Sequence, residues 1–176
     1  EIVKPGTIKH IAGNRFSLGE PEGSESDRLK FISDILKRAG FRAPIQKNIR
    51  DEIWLKLIGN LSFNPISALT GATLEQICND QGTEAIVRAL MTEAKIIAEK
   101  LGAKINMSIE KRIDGARKVG AHKTSMLQDI EASKPIEIDS IIVAVKELGR
   151  LTRSPTPCID TILSLTLQKA KLIGCL

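Results

Sequence analysis

Aromatic residues are scarce in this chain of 176 residues, which has no tyrosine, one tryptophan and four phenylalanines. That leaves little material for stacking bases, and the lysines and arginines behind the net charge of +5 are scattered along helical segments. A nucleic-acid partner is therefore not expected, and a small anionic substrate or a phosphorylated cofactor is the more economical use of the charge. Cysteine is sparse too. Cys78, Cys158 and Cys175 are widely spaced, odd in number and without a CxxC pair or a nearby histidine cluster, so they read as reduced thiols in a cytoplasmic protein with no metal site. No apolar run approaches the roughly 18 to 20 residues of a membrane span, and the opening Glu1-Ile-Val-Lys-Pro is no signal peptide. Also missing is any G-x-G-x-x-G turn or βαβ pattern, so no dinucleotide-binding unit is expected within these residues.

What remains is ordinary for a globular protein, 42% hydrophobic and 27% charged, and its periodicity is mostly helical. The opening differs from the rest. Thr7 to Ile11 and Arg15 to Gly19 are short strand candidates around Ala12-Gly13-Asn14, followed by a breaker-rich link, Glu20-Pro-Glu-Gly-Ser-Glu. Helices are expected from Ser26 to Gly40, with Leu29, Ile32, Ile35 and Leu36 as apolar face, and from Asn48 onward. Residues 41–46, interrupted by Pro44, read as an extended linker. Thr73-Leu-Glu-Gln76 fits a capping box. Residues 83–102 form a long amphipathic pattern with Ile86, Leu90, Ala94, Ile97 and Leu101 in one stripe, and further helices are expected over 108–118, before Pro135, over 136–151 and over 157–173.

The stretch around which these elements are organised is the apolar run 53–69, carrying Lys56, Asn60 and Asn64 at successive i, i+4 positions. Four residues advance a helix by slightly more than one turn, so the three polar side chains share one narrow stripe between Trp54, Leu57, Ile58, Leu61 and Phe63. An ammonium and two amides in a largely desolvated groove are costly unless paired or used. A solvated amphipathic face would show the same spacing, but the other faces here are apolar almost all round. Pro65, directly after Asn64, should break or kink the helix near residues 61–64 and expose polar groups there.

A second constellation runs from His122 through Ser125-Met-Leu-Gln-Asp129 to Glu137-Ile-Asp139. Locally, Ser125 reads first as a helix cap and Glu137, just after Pro135, as an acid in a helix's first turn, the default expectation there, and Asp139 beside it is equally plausible on charge.

Together, Trp54-x-Lys56-x3-Asn60-x3-Asn64-Pro65 and the Ser-Met-Leu-Gln-Asp and Glu-Ile-Asp blocks resemble the C-terminal domain of the ketopantoate reductases (2-dehydropantoate 2-reductases). Lys4-Pro-Gly-Thr-Ile-x-His10, Gly19-Glu20 and Thr156-Pro157 extend the resemblance over nearly the whole chain. It implies a mainly α fold, a helical bundle of the 6-phosphogluconate dehydrogenase C-terminal-like type, with a short N-terminal β-hairpin left over from a Rossmann domain. Residues 1–23 would be the end of the cofactor domain and its linker, and residues 24–176 the helical substrate and catalytic domain.

The activity implied is NADPH-dependent reduction of 2-dehydropantoate to pantoate, on the route to pantothenate and coenzyme A. Lys56 would be the general acid. Glu137 would hold the lysine or the product hydroxyl and face the cofactor, while Asn60, Asn64 and Ser125 would bind the 2-keto acid. NADPH would be held mainly by a Rossmann domain outside this chain, which alone should then be inactive, and a homodimer is a possible assembly. Two positions depart from the pattern, His122 where members often have asparagine and Leu74 where some place a further amide. The alternatives are a helical dimerisation or interaction module without catalysis, and the helical domain of a related two-domain dehydrogenase acting on another 2-keto acid.

Overall fold

A computed structural model describes residues 2–11 and 13–176, which fall into two compact units, Glu1–Glu52 and Ile53–Leu176. In the first, Ile2–Lys4 (β1) pairs antiparallel with Thr7–Ile8 (β2), Ile2 opposite Ile8 and Lys4 opposite Thr7. The turn is Pro5-Gly6, where proline presets the first corner and Gly6 supplies the positive φ of 76° that the second requires.

This corrects the expected hairpin. The partner of Thr7–Ile8 lies before it in the chain, not after, and Arg15 and Leu18 instead bridge in parallel to Arg42 and Ile45. Ala12 of the expected turn lies outside the described residues. The N–H groups of Phe16 and Leu18 donate to the carbonyls of Arg42 and Pro44 at 2.8 and 3.0 Å, and those of Arg42 and Gln46 donate back to Asn14 and Leu18 at 2.7 Å each. Pro44 can accept although it cannot donate, so residues 41–46, read as a linker, serve as a strand-like partner. Helix α1 (Asp27–Arg38) follows, its first turn capped by Ser26 Oγ, which accepts from the Leu29 N–H. It buries Leu29 and Ser33. Ile32 and Ile35, expected on the apolar face, are 41% and 48% exposed.

Helix α2 (Ile49–Thr70) runs unbroken through Pro65. The proline therefore removes one donor to the Leu61 carbonyl without ending the helix, contrary to the expected break. It ends where Gly71 turns to φ 74° and donates its N–H to the Ser67 carbonyl at 2.8 Å. Thr73 and Gln76 form the expected capping box on α3 (Leu74–Asn79).

Helix α4 (Gln81–Lys100) supplies the centre of the second unit's core and packs on α5 (Ile109–Val119), α7 (Ala144–Leu151) and α8 (Pro157–Ile173). Its buried stripe is Val87, Leu90, Met91, Ala94, Ile97 and Ala98. Ile86 and Leu101, expected within it, are 37% and 44% exposed, so the stripe is rotated by about one position. Helix α6 (Ser125–Glu131) precedes Pro135. The helix expected over 136–151 starts later, as a π-helical turn at Asp139–Val143 that passes into α7. Its entry is fixed because the Ile136 N–H donates to the Cys175 carbonyl and both Ile136 and Ile138 are buried.

The architecture is thus mainly helical with one two-stranded antiparallel sheet among the described residues. None of their helices is long and apolar enough to cross a membrane, and none of their His, Cys, Asp and Glu side chains cluster as a metal site would require. The three cysteines are free thiols, and burial pushes those of Cys78 and Cys158 above their usual range.

Candidate functional site

Along the stripe of α2 the polar residues sink progressively into the protein. Lys56 is exposed, Asn60 is half-buried and Asn64 is only 5% exposed. The ammonium is therefore solvated, not held in a desolvated groove as the sequence suggested, whereas the two amides enter the interior. Lys56 has no ion pair within 4 Å among the described residues, so no carboxylate competes for its charge.

Asn60 and Asn64 line a cavity of about 460 Å³. The same cavity is reached by Ser125, 61 residues beyond Asn64, and the Asn64 side-chain amide donates to Ser125 Oγ at 3.5 Å. Ser125 is free to do so because it is not the helix cap. Thr124 is, its hydroxyl accepting from the Leu127 N–H, which leaves Ser125 as the first residue of α6 with its hydroxyl directed at Asn64.

Lys56 and Glu137 do not line this cavity, and no ion pair joins them. Lys56 lies one helical turn, roughly 6 Å of axial rise, before Asn60. Glu137 precedes the π-helical turn and is exposed between the buried Ile136 and Ile138, so it is not the first-turn acid that its spacing from Pro135 suggested. A single widened turn of this kind is uncommon and occurs frequently at functional sites.

The sequence reading missed Arg112. It reaches the same cavity from α5, and its Nε is buried without a hydrogen-bond partner. Burial pulls its guanidinium below the usual arginine range. A Cβ added at Gly59 of α2 would lie 3.0 Å from both Cζ and Nε of Arg112, so the guanidinium rests directly on the helix backbone. The signal for it was Gly59 itself, since a lone glycine inside a helix weakens the helix and commonly marks a close approach. His122 and Leu74, the two positions that depart from the pattern, also line the cavity.

Nothing among the described residues provides a dinucleotide cradle. The sheet is antiparallel and two-stranded, and no strand leads through a glycine-rich turn into a helix. A nicotinamide cofactor does not fit these residues as its principal site.

Residues 48–170 match the family model described as Ketopantoate reductase PanE/ApbA C terminal. A 2-dehydropantoate 2-reductase of Mesorhizobium japonicum is 52% identical over 99% of this chain and 54% of its own length. A crystal structure from Ralstonia solanacearum MolK2, whose description assigns it to the ketopantoate reductases, superposes with a TM-score of 0.93 at 43% identity, over 99% of this chain and 53% of that one. The crystal structure of 2-dehydropantoate 2-reductase from Methylococcus capsulatus gives 0.90 at 32% identity, over 98% and 56%. The chain thus spans about half the length of the relatives it matches. Its stripe of Lys56, Asn60 and Asn64, its Ser125 block and its helical architecture all fall within that half, and the chain belongs to the ketopantoate reductase family as its C-terminal helical domain.

Proposed function

We propose that this chain is the substrate-binding and catalytic half of an NADPH-dependent reductase that converts 2-dehydropantoate to pantoate. The observation that carries the reading is the meeting of Asn60, Asn64 and Ser125 in one cavity, with Asn64 and Ser125 3.5 Å apart, in a chain of this family. NADPH, bound by a Rossmann domain in the other half of the full-length protein, would supply the hydride.

The chain's own residues do the rest. Reduction of a ketone leaves an alkoxide that must gain a proton, and Lys56, on the same stripe as the two asparagines and free of any ion pair, gives its proton to that oxygen. Asn60, Asn64 and Ser125 are neutral, so they orient a 2-keto acid without competing for the proton. Glu137 is the carboxylate that positions the ammonium or the product hydroxyl and faces the cofactor. In the free chain neither Lys56 nor Glu137 lines the cavity, so their approach belongs to the substrate-bound, full-length protein, where catalytic contacts tighten. Residues 1–23 would complete the cofactor domain, and pairing of two copies belongs to the same proposal.

The test is an activity assay on the full-length protein with NADPH and a set of 2-keto acids. Preference for 2-dehydropantoate is expected. Absence of NADPH oxidation with it, alongside turnover of another keto acid, would overturn the assignment of substrate.

A further inference from the structure

Arg112 is the one cation that lines the cavity of Asn60, Asn64 and Ser125 with its charge unanswered among the described residues. No carboxylate lies within 4 Å of it there, its Nε is buried without a partner, and nothing in the catalytic reading above uses it. Three other arginines are treated differently. Arg28, Arg88 and Arg117 all pair with acids, Arg117 with both Glu84 and Asp114. An unpaired guanidinium that is partly withdrawn from water destabilises the free protein, and it remains protonated at neutral pH despite the downward pull of burial.

Its position is also built. Gly59 lacks the Cβ that would collide with the guanidinium, so the helix accepts a weak helix former at that position. The cavity's remaining polar lining is a set of neutral or weakly basic groups, the amides of Asn60 and Asn64, the hydroxyls of Thr124 and Ser125 and the imidazole of His122. Phe63 and Leu74 add apolar wall. A cavity with one forked cation, several neutral donors and no acid suits a small monoanion with an apolar body.

We propose that Arg112 is a substrate-binding residue that holds the carboxylate of the 2-keto acid through its guanidinium, with Gly59 as the residue that admits it. The inference rests on the reading of this cavity as the substrate site. It assigns the charge recognition to Arg112 and leaves the hydrogen bonds of Asn60, Asn64 and Ser125 to orient the ketone end.

The experiment uses the full-length protein and the variants Arg112→Met, Arg112→Lys and Gly59→Ala. Two substrates are compared, 2-dehydropantoate and its lactone, which keeps the ketone and carries no charge. Arg112→Met should raise KM for the acid by roughly 10- to 100-fold, the scale of a lost charge-assisted hydrogen bond. KM for NADPH and kinetics on the lactone should not change. Arg112→Lys should recover part of the loss, since a point charge replaces the fork, and Gly59→Ala should reproduce part of it by pushing the guanidinium aside.

A readout independent of turnover separates binding from structure. Because the guanidinium is unpaired in the free protein, Arg112→Met should leave the melting temperature unchanged or higher. A melting temperature lowered by the variant, a rise in the KM of NADPH in place of the acid, or an equal loss on acid and lactone would each overturn the proposal. If wild type turns over neither substrate, the proposed function fails separately. Calorimetric titration with pantoate and with pantolactone then decides the site, since a preference for the acid that disappears in Arg112→Met sustains the role of Arg112, and its absence refutes it.

Discussion

The side chains of Asn64 and Ser125 are joined by a single hydrogen bond of 3.5 Å that links the middle of α2 to the first turn of α6. At that length the bond is weak, and Ser125 is exposed, so both groups remain able to turn toward a ligand. Replacing Ser125 by alanine should therefore disturb the fold little and the substrate more. In the full-length protein we expect about a 10- to 100-fold loss in kcat/KM, carried mainly by KM, because a neutral contact of this kind is made in the ground state as well as the transition state. Steady-state kinetics on 2-dehydropantoate check it. An unchanged KM would remove Ser125 from the binding set.

Gly149 of α7 predicts the opposite of what helix propensity alone would. A methyl group there would lie 2.7 Å from Thr156 Cγ2 and 3.2 Å from Ile97 Cδ1. Alanine gains about 1 kcal/mol in an exposed helix relative to glycine, but overpacking a closed interior typically costs about 1–3 kcal/mol. Gly149→Ala should lower the melting temperature. Adding Thr156→Ser, which deletes the methyl in the way, should restore part of the loss. Thermal unfolding of the single and double variants decides between the two effects.

What could be read from the sequence was what is decided locally. The capping box of Thr73 and Gln76 and the span of α8 follow from residues within one or two turns of each other, and the structure has both. What escaped was decided across the chain. The N-terminus of α8 is capped by Glu93 of α4, whose carboxylate accepts from the N–H groups of Cys158 and Ile159 at 2.9 and 3.0 Å, and no local pattern announces an acid 65 residues away. The opening strands were misjudged for the same reason, since Arg15 and Leu18 find partners at Arg42 and Ile45. At the site, the i, i+4 spacing placed Asn60 and Asn64 together, and the family resemblance added Ser125. Arg112 could not be found that way. Its role depends on where α5 lies against α2, and only the lone glycine at position 59 hinted at it.

Glu20 ties the first compact unit together through pH-sensitive contacts. Its carboxylate accepts from the Arg28 guanidinium at 2.6 Å and from the hydroxyl of Ser26, the residue that caps α1. The bond from Arg28, followed by that from Ser26, holds the Glu20 carboxyl below the usual glutamate range. A carboxylate whose value is lowered in the folded state stabilises the fold above its unfolded value, and that contribution disappears as pH falls through the folded value. Protection of the Leu29 amide against hydrogen exchange should therefore weaken below the ordinary carboxylate range. Comparison with Glu20→Gln at each pH removes the intrinsic pH dependence of exchange. Equal protection in both proteins above and below that range would show that the carboxylate does not hold the cap.

Lys56 carries the sharpest test of the proposed chemistry. In the proposed reaction its ammonium would stabilise the alkoxide only as hydride transfer proceeds, so its loss should fall on kcat and spare substrate binding. For Lys56→Ala in the full-length protein we expect at least a ~10²-fold decrease in kcat, the usual scale for a positioned general acid, with KM for 2-dehydropantoate changed far less. The opposite split is expected for Ser125→Ala and for Arg112→Met, which makes the three variants a set that separates proton transfer from binding. The separation holds only where chemistry limits the rate, and deuterated NADPH reports this directly through a primary isotope effect. In wild type, release of product can mask that effect; in Lys56→Ala, with the chemical step slowed, the effect should be fully expressed. Near-normal kcat in Lys56→Ala, measured with the isotope effect present, would mean that the proton comes from another group and that Lys56 lies on the stripe of α2 only as its solvated end.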